Sequence, residues 1–464
     1  MIKTRIAPSP TGYMHIGNAR TALFNYLFAK KYHGEFLLRI ENTDLERSKK
    51  EYELDILGNL KWLGLNWDGE IIYQRERSPV HREYLEKLLG EGKAFYCRHS
   101  AEELAGEQKE QQTNKTVLKH NCDHKDKSLA GGVIRLKNQN KKIVFNDIIR
   151  GEVTFDSELL GDIVLAKNLN TPLYNFAAAA DDHDTEISHV IRGEDHLSNT
   201  PKQILIQEAL GFKRPDYAHV PLILAKDRSK LSKRHGSPRL GVAGGTAVTE
   251  YKNAGYLPQA LVNFMALLGW HPADNREIFG LEDLIKEFDL ARVQKAGAVF
   301  DGTKLDSINN YHIKQLVPAE LAQYLKPYLN DHSPSDEQII KIAHLFQDRL
   351  NKFSEIAQLS AFIFNQPEYD SKMLLWKGAS PEKTKNNLET ILMILEKLSG
   401  DSFDIDSTAT EIMPLANKTG RGEMLWPLRV ALTGLEKSPG PFEIMEVLGR
   451  EESINRIKKA AGKL

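Results

Sequence analysis

A histidine stands between two glycines near the amino terminus, where a strand gives way to a helix. In the stretch APSPTGYMHIGNART, His15 follows Gly12 and precedes Gly17. The first turn of a helix presents backbone N–H groups and the positive end of the helix dipole, which together favour an anion. Glycines let a phosphate approach the backbone, and a histidine adds a side-chain donor. The stretch predicts a phosphate site; the alternative is a histidine that caps or packs the helix.

A basic segment lies far along the chain, at residues 225–236, with the sequence AKDRSKLSKRHG. A single acid, Asp227, accompanies the cations Lys226, Arg228, Lys230, Lys233 and Arg234. The segment follows the predicted strand HVPLILA, and ligands of open parallel sheets bind beyond the carboxyl ends of the strands. We therefore expect it to meet His15 at one sheet edge and to flank a polyphosphate. The alternative is a solvated basic loop.

Both cysteines of the chain fall in short Cys-x-His pairs. These pairs are CRH at residues 97–99 and CDH at residues 122–124. Two thiolates and two imidazoles are a common ligand set for tetrahedral zinc. The pairs predict one structural Zn²⁺ held by Cys97, His99, Cys122 and His124. The alternative is a metal-free remnant with two buried thiols.

The elements that must position these residues follow an α/β pattern. IKTRIAPS and EFLLRIENTD predict strands, and each is followed by apolar residues at helical spacing, the first series running from Asn18 to Gly34. Strand, helix, strand and helix in succession predict a parallel doubly wound sheet. The pattern returns in TEISHVIRGEDHLSNTPKQILIQEALG, where Ser198 or Asn199 can cap a helix that Gly211 ends.

A β-rich block separates the two halves of this pattern. Short runs such as KIVFNDIIRGEVTF, bounded by Gly, Asn and Asp, begin near Phe95 and are typical of antiparallel strands. The chain is mostly helical beyond about residue 240. We expect catalytic halves at 1–94 and 173–238, an insertion at 95–172, and further segments at 239–315, 316–380 and 381–464.

Composition limits the possible partners and locations. A chain of 464 residues is too long for a single domain with one hydrophobic core. Its net charge is −1, so local basic patches must hold any polyanion. Two cysteines exclude a disulfide framework and favour a reducing compartment. We see no signal core and no run of about 18 apolar residues. We expect a cytoplasmic protein with no membrane partner.

Taken together, these motifs resemble a bacterial-type glutamyl-tRNA synthetase of class I. HIGN at 15–18 is similar to the class signature HIGH, with Asn18 in place of the last histidine, and KLSKR at 230–234 resembles KMSKS. The stretches RIENTD, TPLYNFAAAADDHD and VIRGEDHLSNTPKQ resemble the glutamate branch, and the likeness covers essentially the whole chain. It implies a Rossmann-like sheet split by the insertion and followed by all-α C-terminal domains.

The resemblance also implies the reaction and its catalytic residues. Glutamate attacks the α-phosphate of ATP, with Mg²⁺ present, and the terminal adenosine of tRNA-Glu then accepts the glutamyl group. The implied catalytic residues are His15, Lys230 and Lys233. The implied ATP site comprises Pro8, Ser9, Gly12, His15, Gly17, Asn18, Asp195, Ile223, Lys230, Leu231, Ser232, Lys233 and Arg234.

The implied glutamate pocket combines two guanidinium groups with one carboxylate. Its residues are Arg5, Ala7, Ser9, Glu41, Tyr174 and Arg192. Forked hydrogen bonds from arginine suit the side-chain carboxylate of the substrate, and a glutamine in its place would leave charge unpaired. Some relatives carry an asparagine where this chain has Ala178, so the resemblance does not carry a contact with the substrate α-carboxylate over to this position.

The family places the insertion against the tRNA acceptor end, 239–315 against the stem, and the last two segments against the anticodon. Some relatives hold zinc through C-x-C and C-x-H pairs, and Phe95 stands where the first of those cysteines would be. We expect a monomer. The alternatives are an enzyme that also charges tRNA-Gln, a glutaminyl-tRNA synthetase, and a tRNA-binding relative that has lost activation.

Overall fold

A computed structural model describes residues 1–44, 46–125, 127, 130–231, 246–400 and 403–464. Three residues of the expected ATP site, Ser232, Lys233 and Arg234, lie outside these ranges. The chain divides into two compact units. One unit comprises Met1–Lys252 and Pro258–Ile308, and the other comprises Asn253–Leu257 and Asn309–Leu464.

The first unit begins with the predicted alternation of strands and helices. The strands β1 (Lys3–Ile6), β2 (Glu35–Ile40) and β3 (Ile72–Tyr73) form a parallel sheet in that order, and the helices are α1 (Ile16–Lys31), α2 (Lys50–Trp62) and α3 (Ser78–Gly90). Helix α1 buries Ala19, Leu23 and Leu27, which is the apolar stripe read from the sequence. It begins earlier than predicted because His15 occupies the N-cap.

The described residues of the insertion form six strands and one α-helix. These elements are β4 (Ala94–Cys97), α4 (Ala101–Thr113), β5 (Val133–Leu136), β6 (Lys142–Asp147), β7 (Gly151–Asp156), β8 (Val164–Asn168) and β9 (Thr171–Pro172). Strands β4, β5, β8 and β9 form an antiparallel sheet, as expected. Helix α4 was missed because it buries no residue and so has no apolar stripe; a capping box of Ser100 and Glu103 begins it.

The second catalytic half restores the parallel pattern. It contains α5 (Tyr174–Asp184), β10 (His189–Gly193), α6 (Thr200–Leu210), β11 (Asp216–Val220) and β12 (Ile223–Leu224). Strands β10 and β11 pair in parallel, and Ser188 N–H donates to the Lys3 carbonyl at 3.0 Å, which joins this half to β1. Gly211 ends α6 with φ 74°, as predicted, whereas the Asn199 side chain makes no capping bond.

One strand pairing of the insertion was not foreseen. The β6–β7 hairpin adds to β11, giving a mixed sheet in the order β10-β11-β6-β7. Tyr217 of β11 pairs in register with Asp147 of β6. The insertion therefore shares a sheet with the catalytic half.

The remaining described elements are mostly helices. They are α7 (Val248–Ala254), α8 (Pro258–Leu267), α9 (Leu281–Glu287), β13 (Ala298–Val299), α10 (Gly302–Lys314), α11 (Pro318–Leu325), α12 (Asp336–Phe346), α13 (Ile356–Leu359), α14 (Ala361–Phe364), α15 (Pro381–Lys397), α16 (Ile405–Thr419), α17 (Arg421–Thr433), α18 (Pro441–Leu448) and α19 (Arg450–Ala461). In the second unit the buried Arg456 donates to the carbonyls of Phe362 and Leu432 at 2.6 and 2.7 Å, which fixes the last helix. Among the described residues, no helix combines the length and apolarity needed to cross a bilayer.

Candidate active site

A cleft of about 720 Å³ in the first unit collects most of the residues predicted from the sequence. The predicted residues that line it are Arg5, Ala7, Pro8, Ser9, His15, Gly17, Asn18, Glu41, Tyr174, Arg192, Asp195, Ile223, Lys230 and Leu231. Gly12 instead lines a smaller adjoining pocket of about 170 Å³, which shares Ser9, His15 and Asn18 with the cleft. Two motifs far apart in sequence thus meet at one site.

His15 sits at the amino-terminal end of α1, and its ring closes the first turn. The Gly17 N–H donates to His15 Nδ1 at 3.0 Å, so a neutral ring carries its proton on Nε2. The Ile16 N–H donates to the Thr246 carbonyl, and the Asn18 and Ala19 N–H groups donate to the His15 carbonyl. The expectation of open N–H groups at this corner is therefore wrong, because the chain satisfies them itself. An anion here would meet the His15 ring and the dipole of α1.

Lys230 reaches the same cleft from the end of β12. The Leu231 N–H donates to the Ile223 carbonyl and the Ala225 N–H donates to the Ser229 carbonyl, so the segment folds back on the strand. Arg228 at the tip has φ 64°. Lys230 Nζ lies 3.3 Å from Asp195 Oδ2, and both side chains line the cleft. The described part of the basic segment thus folds back on β12, while Lys226, Arg228 and Lys230 are exposed to solvent.

A buried ion-pair network forms the floor around Arg5. The Asp182 carboxylate accepts hydrogen bonds from Arg5 Nε at 3.0 Å and from Arg39 Nη1 at 2.7 Å. Burial alone would raise the pKa of Asp182, but the two guanidinium groups outweigh it and lower that pKa to about 2. Arg39 also donates to Glu41 at 3.3 Å. Arg5 is therefore held by an internal carboxylate on one side of its guanidinium.

Glu41 and Tyr174 both line the cleft, and the Glu41 side chain is buried. Burial raises the pKa of Glu41, and the nearby Arg39 and Arg5 oppose that effect. A cationic ligand beside Glu41 would favour its charged form. Burial also raises the pKa of Tyr174, so its hydroxyl stays protonated next to His196 Nδ1 at 3.2 Å. Burial lowers the pKa of His196 to about 4, which leaves that ring neutral at physiological pH.

Arg192 extends from β10 and is held by three side chains. Its Nη2 donates to Thr200 at 2.8 Å, its Nη1 donates to Gln203 at 2.8 Å, and its Nε donates to His219 Nε2 at 3.2 Å. Several residues of the cleft and its surroundings were not predicted from the sequence: Thr11, Arg20, Arg39, Asp182, His196, Asn199 and His219. Most of these residues lie within the sequence stretches quoted above, so their closeness to the motif residues could have marked them as candidates for the site.

The cysteines and histidines of the insertion do come together, but in two overlapping groups. Cys97, His99, His120 and Cys122 form one, and His99, Cys122, Asp123 and His124 form the other. The sequence-predicted set is therefore divided, because His124 is not grouped with Cys97. His120 was missed: its Nε2 lies 3.8 Å from the Cys97 Sγ, and its Nδ1 lies 2.5 Å from Glu107.

Comparisons with known proteins cover the whole chain. Residues 1–307 match the family model described as tRNA synthetases class I (E and Q), catalytic domain, and residues 320–461 match the anticodon binding domain. A glutamate–tRNA ligase of Thermoanaerobacter pseudethanolicus is 42% identical over 99% of this chain and 98% of its own length. One from Caldicellulosiruptor saccharolyticus is 40% identical over 100% and 99%. The crystal structure of a glutamate tRNA ligase from Elizabethkingia meningosepticum, in complex with its amino acid, is similar with a TM-score of 0.89 and 34% identity, covering 99% of both chains.

Proposed function

This chain belongs to the class I tRNA synthetases for glutamate and glutamine, and we propose on that premise that it is a glutamate–tRNA ligase. The α-carboxylate of L-glutamate attacks the α-phosphate of ATP, which gives glutamyl-adenylate and releases pyrophosphate. A ribose hydroxyl of the 3′-terminal adenosine of tRNA-Glu then attacks the activated carbonyl, and AMP leaves. The observation that carries this proposal is the meeting of His15 and Lys230 in one cleft with Arg5, Glu41 and Arg192.

ATP lies along the His15 side of the cleft in this proposal. The ring of His15 donates from Nε2 to a phosphate, and Lys230 exchanges its ion pair with Asp195 for the developing charge on pyrophosphate. Lys233 acts with Lys230, and Mg²⁺ accompanies the phosphates without a dedicated protein cage. The protein contributes positioning and charge stabilisation, which dominate phosphoryl and adenylyl chemistry.

Glutamate occupies the buried end of the cleft. Its ammonium meets Glu41, whose pKa burial raises, and its side-chain carboxylate meets Arg5 and Arg192. Two arginines facing one neutral amide would leave buried donors and charge unpaired, so glutamine is rejected. Ala178 is buried on α5 and is apolar, so the α-carboxylate is held by groups other than this position.

The tRNA partner spans the rest of the chain. The insertion at 95–172 receives the acceptor end of the tRNA. Residues 239–315 contact the stem, and the segments 316–380 and 381–464 read the anticodon. The anticodon-domain match over residues 320–461 supports the last assignment. The enzyme works as a monomer in the cytoplasm. Charging of tRNA-Gln with glutamate, in addition to tRNA-Glu, is the second candidate activity.

One structural Zn²⁺ completes the insertion in this proposal. The Cys97 and Cys122 sulfurs lie 3.4 and 3.5 Å from His99 Nδ1, and Cys97 lies 3.8 Å from His120 Nε2. Tetrahedral zinc places its sulfur and nitrogen ligands about 3.6 Å apart, so the geometry fits. Glu107 would orient His120 through the other ring nitrogen. We therefore assign the fourth ligand to His120 in place of His124.

The decisive experiment measures aminoacylation of purified tRNA-Glu and tRNA-Gln with radiolabelled glutamate or glutamine. We expect glutamylation of tRNA-Glu and no glutaminylation of either tRNA. Glutamylation of tRNA-Gln would establish the second candidate. Failure to form any aminoacyl-tRNA, with no exchange of pyrophosphate into ATP in the presence of glutamate and tRNA, would contradict the proposal.

A further inference from the structure

Two buried titratable residues outside the proposed chemistry form a chain that ends at Arg192. Asp147 is the last residue of β6 in the insertion, and His219 lies on β11. His219 Nδ1 lies 2.6 Å from Asp147 Oδ2, and His219 Nε2 lies 3.2 Å from Arg192 Nε. Both Asp147 and His219 are inaccessible to solvent. A carboxylate, an imidazole and a guanidinium thus follow one another across three neighbouring strands.

The surroundings of Asp147 keep it charged. Its carboxylate also accepts hydrogen bonds from the backbone N–H groups of Ile149, Arg150 and His219. Burial alone would raise the pKa of Asp147, but the hydrogen bonds from His219 and Arg150 outweigh it and lower that pKa. An ionised carboxylate is an acceptor only. The neighbouring ring nitrogen, His219 Nδ1, must therefore carry a proton.

The proton on Nδ1 determines what the other ring nitrogen does. Burial lowers the pKa of His219 and, together with the charge of Arg192, outweighs the opposing effect of Asp147, so the ring is neutral. A neutral imidazole with its proton on Nδ1 has a lone pair on Nε2. That lone pair accepts the N–H of Arg192 Nε. The opposite tautomer would point an N–H at an N–H and would break the contact.

The contact with His219 sets the direction of the whole Arg192 group. The guanidinium plane is fixed by His219, Gln203 and Thr200, one acceptor for each nitrogen. The Thr200 hydroxyl also lies 3.0 Å from His219 Nε2, so it joins the two. Three of the five N–H donors are used, which leaves one on each terminal nitrogen for a ligand. A carboxylate accepting from both terminal nitrogens gains most when the fork cannot rotate.

We propose that Asp147 and His219 are positioning residues that hold Arg192 for the side-chain carboxylate of glutamate. This proposal rests on the assignment of Arg192 to the glutamate pocket. The insertion thereby contributes a carboxylate to amino acid recognition, although it donates no residue to the cleft itself among those described. We call the series Asp147, His219 and Arg192 the relay. Loss of Asp147 or His219 from it should weaken glutamate binding selectively and should leave ATP binding intact.

The test compares variants that keep or remove the acceptor facing Arg192. His219→Asn places an amide near Asp147 but no atom near the Nε2 position, whereas His219→Gln places an amide oxygen near that position. We expect His219→Asn to raise the KM for glutamate at least about ten-fold with an unchanged KM for ATP, because a hydrogen bond to a charged donor is lost. His219→Gln should restore most of the affinity. Asp147→Asn tests the other end of the relay and should raise the same KM.

A second buried His–Asp pair provides the matched control. His81 Nε2 lies 2.7 Å from Asp181, and the pair makes no contact with Arg192. His81→Asn should lower thermal stability without raising the KM for glutamate. If the His219 and Asp147 variants raise the KM values for glutamate and ATP alike, or if the Gln variant is as impaired as the Asn variant, the relay is contradicted.

The natural chain supplies a measurement that does not depend on a variant folding. Nitrogen-15 NMR of histidine-labelled protein reports which ring nitrogen carries the proton. We expect a neutral His219 protonated on Nδ1 at pH 7.5, and protonation on Nε2 would overturn the proposal. Arg192→Lys separates the assignment of Arg192 to the glutamate pocket from the positioning role of His219. If Arg192→Lys leaves the KM for glutamate unchanged, the pocket itself is misassigned. If it raises that KM while His219→Asn does not, only the relay fails.

Discussion

Asp182 accepts a 2.7 Å hydrogen bond from Arg39, and both side chains are buried beneath the cleft. The same carboxylate also binds Arg5, whereas Arg39 has a second ion pair with Glu41. Asp182→Asn removes the carboxylate that faces Arg5 and should lower the free energy of unfolding by about 3–5 kcal/mol, because the buried guanidinium of Arg5 loses its charged partner. It should also raise the KM for glutamate through Arg5. Urea unfolding and steady-state kinetics measure the two effects.

A half-exposed ion pair on α3 provides the comparison for Asp182. Glu86 lies 2.8 Å from Arg82, and solvent reaches about half of each side chain. Glu86→Gln should change the free energy of unfolding by no more than about 0.5 kcal/mol, since exposed pairs of this kind contribute little. Similar losses for Asp182→Asn and Glu86→Gln would mean that the buried network does not hold Arg5 in place.

The two signature lysines should act on the activation step. Lys230→Ala should slow glutamate-dependent ATP–pyrophosphate exchange about 10²–10³-fold, the usual cost of losing one preorganised charge-stabilising group. The KM for glutamate should change little, because Lys230 lies on the Asp195 side of the cleft. We expect the same of Lys233→Ala, although that residue lies outside the described ranges. Lys226→Ala removes an equal charge from an exposed position in the segment and should change the exchange rate little. Equal losses of rate in the Lys230, Lys233 and Lys226 variants would mean that only the total positive charge of the segment matters.

Zinc content should depend on His120 more than on His124. His120→Asn removes a ligand that Glu107 orients, so bound zinc and thermal stability should both fall. His124→Asn should leave the zinc content near one equivalent, because the ring of His124 already accepts the Arg98 N–H at 3.2 Å. Plasma mass spectrometry and thermal unfolding with and without chelator measure this. Well under one equivalent in the natural chain, with an unchanged melting temperature after chelation, would contradict the site.

Stability should fall as the pH drops from about 6.5 towards 4. Burial lowers the pKa of His196 to about 4, whereas an unfolded histidine titrates near 6.5. Between these values the unfolded chain binds a proton that the folded chain does not, so acid favours unfolding. The pKa values of His189, His219 and His312 are also lowered by burial and add to the effect. Melting temperatures at pH 7 and pH 5 test this.

Replacement of one histidine isolates its share of that pH dependence. His196→Gln should reduce the difference in melting temperature between pH 7 and pH 5. The pKa of Asp182 shifts from 3.8 to about 2, so its own contribution is lost only below this window. An unchanged difference in His196→Gln would show that His196 titrates near its ordinary value in the folded chain.

The sequence predicts the broad architecture well because local patterns carry it. Alternating strands and helices, the insertion and the helical second unit all follow from apolar periodicity and turn residues. The convergence of His15 and Lys230 follows from the rule that parallel strands present their carboxyl ends at one edge. Ser232, Lys233 and Arg234 remain predictions, since the structure does not describe them.

The missed features depend on contacts between distant residues or on weak local patterns. Arg5 and Asp182 are 177 positions apart, and Asp147 and His219 are 72 apart, so spacing gives no hint of either pair. Helix α4 buries nothing and has no periodic stripe. His120 lies outside the two Cys-x-His pairs and becomes a candidate ligand only when the chain folds.

The mixed sheet that joins β6 to β11 sets a limit on how this enzyme can be reduced in size. An engineer who excised the insertion to make a minimal activating core would also remove Asp147 and expose an edge of β11. If Asp147 and His219 hold Arg192 as proposed, the trimmed protein would keep HIGN and KLSKR and yet bind glutamate more weakly.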